Sequence, residues 1–239
     1  MSAHAMELIG VGLYTLSDAA RIVRAKPSHV KRWVEGYSYP YNGDRRFSEP
    51  VLKPALQPID NMRVLTFLDL VELQFISLFR KEGVSMPVIR AASKAAARRF
   101  GTDHPFASSR FTTDGKAIFA VLQPENVDAH NADTSTIVEE LHKSQMVFAE
   151  VIEPFFRNIE WGTQEAMRLW PLGKDRRVVI DPKRQFGAPI DNETGTPTAV
   201  LYANAVEGGN APELVAEWYE IPLDAVERAV EYETYLRTA

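Results

Sequence analysis

Ser28, His29, Lys31 and Arg32 crowd into a single short segment, PSHVKRW, at positions 27–33. Hydroxyl, imidazole, ammonium and guanidinium groups are donors to phosphate oxygens and to the edges of bases, so their shared chemistry is recognition of nucleic acid. A second basic group, Arg45 and Arg46, follows the turn signal Asn42-Gly43-Asp44, and Arg63 stands further along.

The surrounding residues dictate how the first group is held. Either Thr15 or Ser17 caps a helix whose apolar face is Leu16, Ala19, Ala20 and Val23. Proline lacks an amide and disfavours helix in the residue before it, so Lys26-Pro27-Ser28 ends that helix and Pro27 opens the next. Val30, Trp33 and Val34 turn inward on the second helix and leave Ser28, His29, Lys31 and Arg32 outward near its start. That is the disposition of a helix-turn-helix reading a major groove. Pro40, Pro50, Pro54 and Pro58 forbid a long helix over residues 36–62, so a loop or hairpin carrying Arg45 and Arg46 is expected where a wing would lie. Two amphipathic helices in an ordinary all-helical domain, and an ordinary surface loop, fit the same patterns. Charge favours DNA: residues 14–63 hold nine Lys or Arg and five Asp or Glu in a chain of net charge −5, and affinity for DNA needs a local basic face rather than a basic protein.

Several classes are excluded. Without cysteine there are no disulfides, thiolate metal sites or cysteine nucleophiles. His4, His29, His104, His130 and His142 show no ligand spacing, so no metal or other cofactor is expected. No nucleophile elbow or phosphate-binding glycine loop suggests an enzyme. There is neither an export signal nor a long apolar run, and a cytoplasmic protein that does not engage membrane is expected. Asn192-Glu193-Thr194 matches a glycosylation sequon, which has no meaning without secretion.

Residues 1–13, with Leu8, Ile9, Val11 and Leu13, remain unassigned between a short strand and a lead-in. Thr66 caps a helix with Leu68, Val71, Phe75, Leu78 and Phe79 on one face, ending at Gly83. Ser85 starts another through Val88, Ile89 and Ala92 to Phe100, stopped by Gly101. The order YTLSDAARI, PSHVKRWV, a wing, LTFLDLVEL and EGVSMPVIRAA resembles the DNA-binding module of MerR-type regulators over residues 14–100. The chain departs from that pattern at Arg32-Trp33-Val34-Glu35 and at Thr66-Phe67-Leu68-Asp69-Leu70, where the family has a Tyr-Tyr-Glu-like step and a Tyr-Ser-Asp-Leu start.

Beyond His104 the β-prone run 116–122 and the Asp114-Gly115 pair predict a β-hairpin. A long helix is expected over 135–156, with Ile137, Leu141, Phe148, Ile152 and Phe155 packing either on that hairpin or on a second copy. The MerR resemblance implies a homodimer. Residues 157–175, with Trp161 and Trp170, read as a connector. Short strands at Val178–Ile180 and 188–190 follow, then helices starting near Thr196-Pro197, Ala211-Pro212 and Pro222. The words VVIDP, FGAPI, GTPT, NAPELVAEWY and PLDAVERAVEYE resemble the small helix-turn-helix antitoxin domains encoded beside PIN-like toxins, over residues 176–237. The combination resembles the longer VapB-type antitoxins of actinobacteria.

The expected fold is thus mainly α with small β-hairpins. It comprises a MerR-like winged helix-turn-helix (1–103), a central hairpin, long helix and connector (104–175), and a three-helix helix-turn-helix unit (176–239). The resemblance implies an antitoxin that neutralises a PIN-like ribonuclease and represses its own operon. A stand-alone MerR-like regulator responding to a small molecule is the alternative. From Pro197 onward eight carboxylates face two arginines, which would repel phosphate, so operator DNA falls to the first module and the toxin to the last. Candidate toxin contacts are Lys174, Arg176, Arg177, Lys183 and Arg184, together with Trp218, Tyr219 and Tyr235, whose types anchor interfaces.

Overall fold

Thr15, not Ser17, caps the first helix. Its hydroxyl accepts from the amide of Asp18 at 3.1 Å, and the Asp18 carboxylate accepts from the Thr15 amide at 3.3 Å. This reciprocal pair satisfies two orphan groups at the helix start and stabilises it by about 1 kcal/mol. The computed structural model describes residues 10–41, 43–128 and 134–238. Residues 1–9, with Leu8 and Ile9, lie outside that range, as do Asn42, the first residue of the turn signal, and His130. The described chain forms two compact units, one of residues 15–156 and 161–166, the other of residues 10–14, 157–160 and 167–238.

In the first unit, α1 (Leu16–Ile22) is followed by α2 (Pro27–Glu35), which Pro27 opens as expected. Gly36 ends α2 at φ +72°, and a Cβ there would sit 2.5 Å from the Phe47 ring and from the Ser48 carbonyl. Only glycine allows the chain to pass so directly into the antiparallel hairpin of β1 (Tyr37–Tyr41) and β2 (Asp44–Ser48). Next comes α3 (Phe67–Lys81), with the expected Thr66 cap again paired reciprocally with Asp69. Val71, Phe75 and Phe79 are buried, Leu68 and Leu78 half-buried, and Leu70, Leu73 and Ile76 are buried as well. A helix covered on most sides is a core element, and α3 is packed accordingly. Ser77 donates to the Val23 carbonyl at 2.9 Å, which fixes the end of α1 to it. α4 (Met86–Phe100) stops at Gly101 in left-handed geometry.

The β-hairpin expected at 110–122 is a helix, α5 (Arg110–Ala120). Gly115 supplies no positive φ here; it removes a side chain. A Cβ at Gly115 would meet Phe148 at 2.8 Å and Phe111 at 2.9 Å. Phe111, Gly115, Ile118 and Phe119, all buried, step by four, three and one, a helical period that outweighs the β propensity of the run. α6 (Thr134–Val147) continues through a π turn at Phe148–Ile152 into Glu153–Phe155. Its expected positions Ile137, Leu141, Phe148 and Ile152 are buried and Phe155 half-buried. They complete an aromatic cluster in which Phe111 meets Phe75 at 5.4 Å, Phe106 at 4.8 Å and Phe148 at 5.5 Å between centroids. The edge-to-face pairs with Phe75 and Phe148 add stability beyond area burial.

The connector expected at 157–175 also carries strands. β3 (Ile159–Trp161), β4 (Ala166–Leu169), β5 (Val178–Ile180) and β6 (Pro189–Asp191) form one sheet in that order. Val179 pairs with Ile190, and both pack with Trp170. α7 (Thr198–Tyr202), extended by a π turn to Glu207, then α8 (Pro212–Tyr219) and α9 (Leu223–Arg237) start where the prolines predict. Leu201, Ala205, Val215, Ala216, Val226 and Ala229 are their shared core. Among the described residues no helix is long and apolar enough to cross a membrane.

Candidate nucleic-acid interface

Val30, Trp33 and Val34 bury one side of α2, and the opposite side exposes Ser28, His29, Lys31 and Arg32. All four donors therefore stand on one accessible helix face. The His29 ring lies 6.3 Å from that of Trp33, and Lys31 sits 3.9 Å from Glu35, an exposed i,i+4 pair that solvent keeps weak. Arg32 lies over the Tyr37 ring at 5.2 Å, so the side chain leans from α2 toward the root of the hairpin.

Register decides what the hairpin offers. Tyr37, Tyr39 and Tyr41 share one face with their partners Ser48, Arg46 and Asp44, whereas Arg45 and Phe47 are on the other. Both arginines are exposed, but the basic pair that looks continuous in sequence is split across the two faces. Arg46 stacks over Tyr41 at 3.9 Å, and Phe47 is 58% exposed. The hairpin base is fastened from α4: Arg90 donates from Nε to the Glu49 carbonyl at 3.1 Å and from Nη2 to the Ser48 hydroxyl at 3.0 Å. Burial lowers the pKa of Arg90, with the nearby Tyr37, Asp128 and Glu49 opposing that trend. The amides of Val51 and Leu52 then donate to the Trp33 carbonyl and tie the returning strand to the end of α2.

Sequence reasoning missed the tyrosines and Arg90. The period-two repeat in YSYPY was the available signal for the former; nothing local marks Arg90. Arg63 is half-buried and its Nε makes no hydrogen bond among the described residues, a different setting from the open surface of Lys31 and Arg32.

The same unit holds a buried polar knot on α3. Glu72 accepts from the amides of Phe106 and Ala107 at 2.5 and 2.8 Å, and Asp69 meets His104 at 2.8 Å. Burial pushes the Glu72 carboxyl up to about 8, with His104 and the two amides pulling against it. Burial pulls the His104 imidazole down, but the bond to Asp69 and the charges of Glu72 and Asp69 prevail and raise it.

In the second unit most of the expected basic contacts are already engaged. Lys174 lies 3.9 Å from Glu160, Arg176 pairs with Glu231 at 2.9 Å, and Arg177 pairs with Glu193. Arg184 donates to the side chain and carbonyl of Asn192, both at 3.1 Å. Lys183 is exposed. Among the aromatics, Trp218 is 53% and Tyr219 37% exposed, while Tyr235 is half-buried and packs beside Val178 and Leu236.

A capped first helix, a proline-opened second helix with its donors exposed, and a following β-hairpin make this a helix-turn-helix protein. Residues 12–93 match the sequence model of a family described as "Putative DNA-binding HTH domain". Over 227 residues the chain is 26% identical to "Putative antitoxin VapB45" of Mycobacterium tuberculosis (strain ATCC 25618 / H37Rv), covering 92% of this chain and 93% of that protein. The X-ray crystal structure of Rv2018 from Mycobacterium tuberculosis has the same fold. It aligns with a TM-score of 0.69 at 21% identity, over 93% of this chain and 99% of that one.

Proposed function

We propose that this chain is an antitoxin that binds and neutralises a PIN-like ribonuclease and represses its own operon through the α1–α2 helix-turn-helix. One observation carries the reading: the full-length likeness to a protein named as a VapB antitoxin spans both compact units, rather than the helix-turn-helix alone. In this reading residues 1–103 form a MerR-like module on operator DNA. Ser28, His29, Lys31 and Arg32 enter the groove, and Arg45, Arg46 and Arg63 serve the backbone. Residues 104–175 hold two copies together, so that two modules span two half-sites. Residues 176–239 hold the toxin.

The test is a division of labour. Lys31→Ala/Arg32→Ala is expected to abolish a mobility shift on the DNA upstream of the gene while leaving co-purification with the product of the neighbouring reading frame intact. Loss of both in a folded variant refutes the separation. A wild-type chain that captures no neighbouring product refutes the antitoxin role. A ligand-responsive regulator would then stand, for which a cavity of about 330 Å³ between the hairpin and α4, lined by Tyr37, Tyr39, Val88, Arg90 and Ile137, is the available room.

A further inference from the structure

The cavity of about 330 Å³ between the hairpin and α4 lies wholly within the first unit, and three kinds of group line it. Its volume is that of a small-molecule site. The first kind is apolar. Tyr37 and Tyr39 of the hairpin, their rings 5.9 Å apart and tilted by 47°, join Val88 of α4 and Ile137 of α6 in a wall suited to a planar ring.

The second kind is cationic. Arg90 and Lys94 stand one turn apart on α4, and both line the cavity. Arg90 is half-buried, yet its bonds go to neutral acceptors, the Glu49 carbonyl from Nε and the Ser48 hydroxyl from Nη2. Its Nη1 makes no hydrogen bond among the described residues, and no carboxylate there forms an ion pair with Arg90 or Lys94. A guanidinium with unused donors and no neutralising partner, held in a partly desolvated wall, is a receptor for a carboxylate. The third kind is anionic: Glu49, Asp128 and Glu140. Glu140 is half-buried and has no ion pair among the described residues. A plain anion would meet these carboxylates, and a plain cation would meet Arg90 and Lys94. A molecule carrying both charges close together on a planar apolar body satisfies all three kinds of group.

We propose that this cavity binds a zwitterion of the aromatic α-amino acid class, with Arg90 and Lys94 holding the carboxylate, Glu140 the ammonium, and Tyr37 and Tyr39 the ring. The site is independent of the toxin; its consequence for DNA rests on the operator reading. Arg32 of α2 lies 5.2 Å over the Tyr37 ring, and Arg90 fastens the base of the hairpin. An occupant seated against both steadies the hairpin and removes freedom that operator binding would otherwise have to remove. The ligand is then a co-repressor, and by linkage operator DNA tightens the binding of the ligand.

Calorimetric titration of the full chain with L-phenylalanine tests the site. One molecule per chain is expected to bind. Phenethylamine, which lacks the carboxylate, and 3-phenylpropionate, which lacks the ammonium, should each bind about tenfold more weakly or worse, the scale of one charged hydrogen bond. Glu140→Gln should weaken L-phenylalanine by a similar factor and leave 3-phenylpropionate unchanged. Arg90→Lys keeps the charge but loses the planar fork, so it should weaken L-phenylalanine and leave phenethylamine unchanged. A damaged fold would instead weaken every ligand. L-phenylalanine at a concentration that saturates only the wild type should tighten its mobility shift on the upstream DNA by about fivefold or more, and leave that of Glu140→Gln unaltered. Absence of binding, or analogues that bind as tightly as L-phenylalanine, overturns the site. Binding that leaves DNA affinity unchanged overturns the co-repressor role. A chain that shifts no DNA with or without ligand refutes the operator reading instead, and calorimetry still decides the site.

Discussion

Counterion release makes the DNA surface measurable cation by cation. Each phosphate neutralised on duplex DNA contributes about −0.9 to the slope of log K against log salt. Lys31, Arg32, Arg45 and Arg46 are the exposed cations of α2 and the hairpin, so these four contribute at most about −3.6 in one module and about −7 in a two-module complex. The structure ranks them. Arg46 is pre-organised by its 3.9 Å stack on Tyr41, and Arg32 is directed by Tyr37. Lys31 is partly screened by Glu35, and Arg45 points from the opposite face of the hairpin to Arg46. Arg32→Ala and Arg46→Ala are therefore each expected to lower the slope by about 0.9 per module, and Lys31→Ala by less. Arg45→Ala and Arg46→Ala should differ, because the two side chains cannot lie against one phosphate strand. Tyr41→Leu keeps every charge. It should preserve the slope yet weaken binding by roughly two- to fivefold, the worth of an exposed cation–π contact of about 0.5–1 kcal/mol. Fluorescence anisotropy on the upstream DNA, titrated at several salt concentrations, reads both quantities. A slope unchanged when Arg32 and Arg46 are removed together would refute the placement of phosphates against α2 and the hairpin.

Stability should fall as pH rises from about 5 to 9. Between 4.5 and about 8 folded Glu72 holds a proton that the unfolded chain has lost, and His104, with its raised pKa, loses its contribution on deprotonation. Together these are worth on the order of a few kcal/mol, and thermal melts of Glu72→Gln should show a flatter pH profile; an equally steep one would mean the carboxyl is already ionised when folded. Asp191 is fully buried and takes two bonds from Arg228, at 2.8 and 2.9 Å, so Arg228→Ala leaves a buried charge uncompensated and should cost about 3–5 kcal/mol in urea denaturation. Gly115→Ala gains about 1 kcal/mol of helix propensity but drives a methyl to 2.8 Å from Phe148, an overpacking cost of about 1–3 kcal/mol. A lower melting temperature is expected, and a clear rise would show that the aromatic cluster yields.

The local stops and starts of this chain were legible because each is a short-range transaction. Thr15 and Asp18, like Thr66 and Asp69, lie three residues apart and close a capping box within one turn. Pro27 and Gly101 act through their own backbone, and the exposed face of α2 follows from the spacing of Val30, Trp33 and Val34. The sequence thus determined the helix-turn-helix and the three C-terminal helix starts, and left a loop or a hairpin open after α2, which the pairing of residues 37–41 with 44–48 decided.

What only tertiary structure decided were matters of distant company. Asp114-Gly115 carries the local mark of a tight turn, but Phe148, more than thirty residues on, needs the space that glycine leaves, so the segment coils. Arg176 and Arg177 read as available cations until Glu231 and Glu193, 55 and 16 residues away, claim them. Side-chain spacing along a strand places Arg45 and Arg46 on opposite faces, but pairing with Pro40 and Tyr39 had to exist before that parity meant anything. A hydrogen bond within one turn is set by neighbours in the chain; burial and ion pairing are set by whatever the fold brings near, and no local window contains that information.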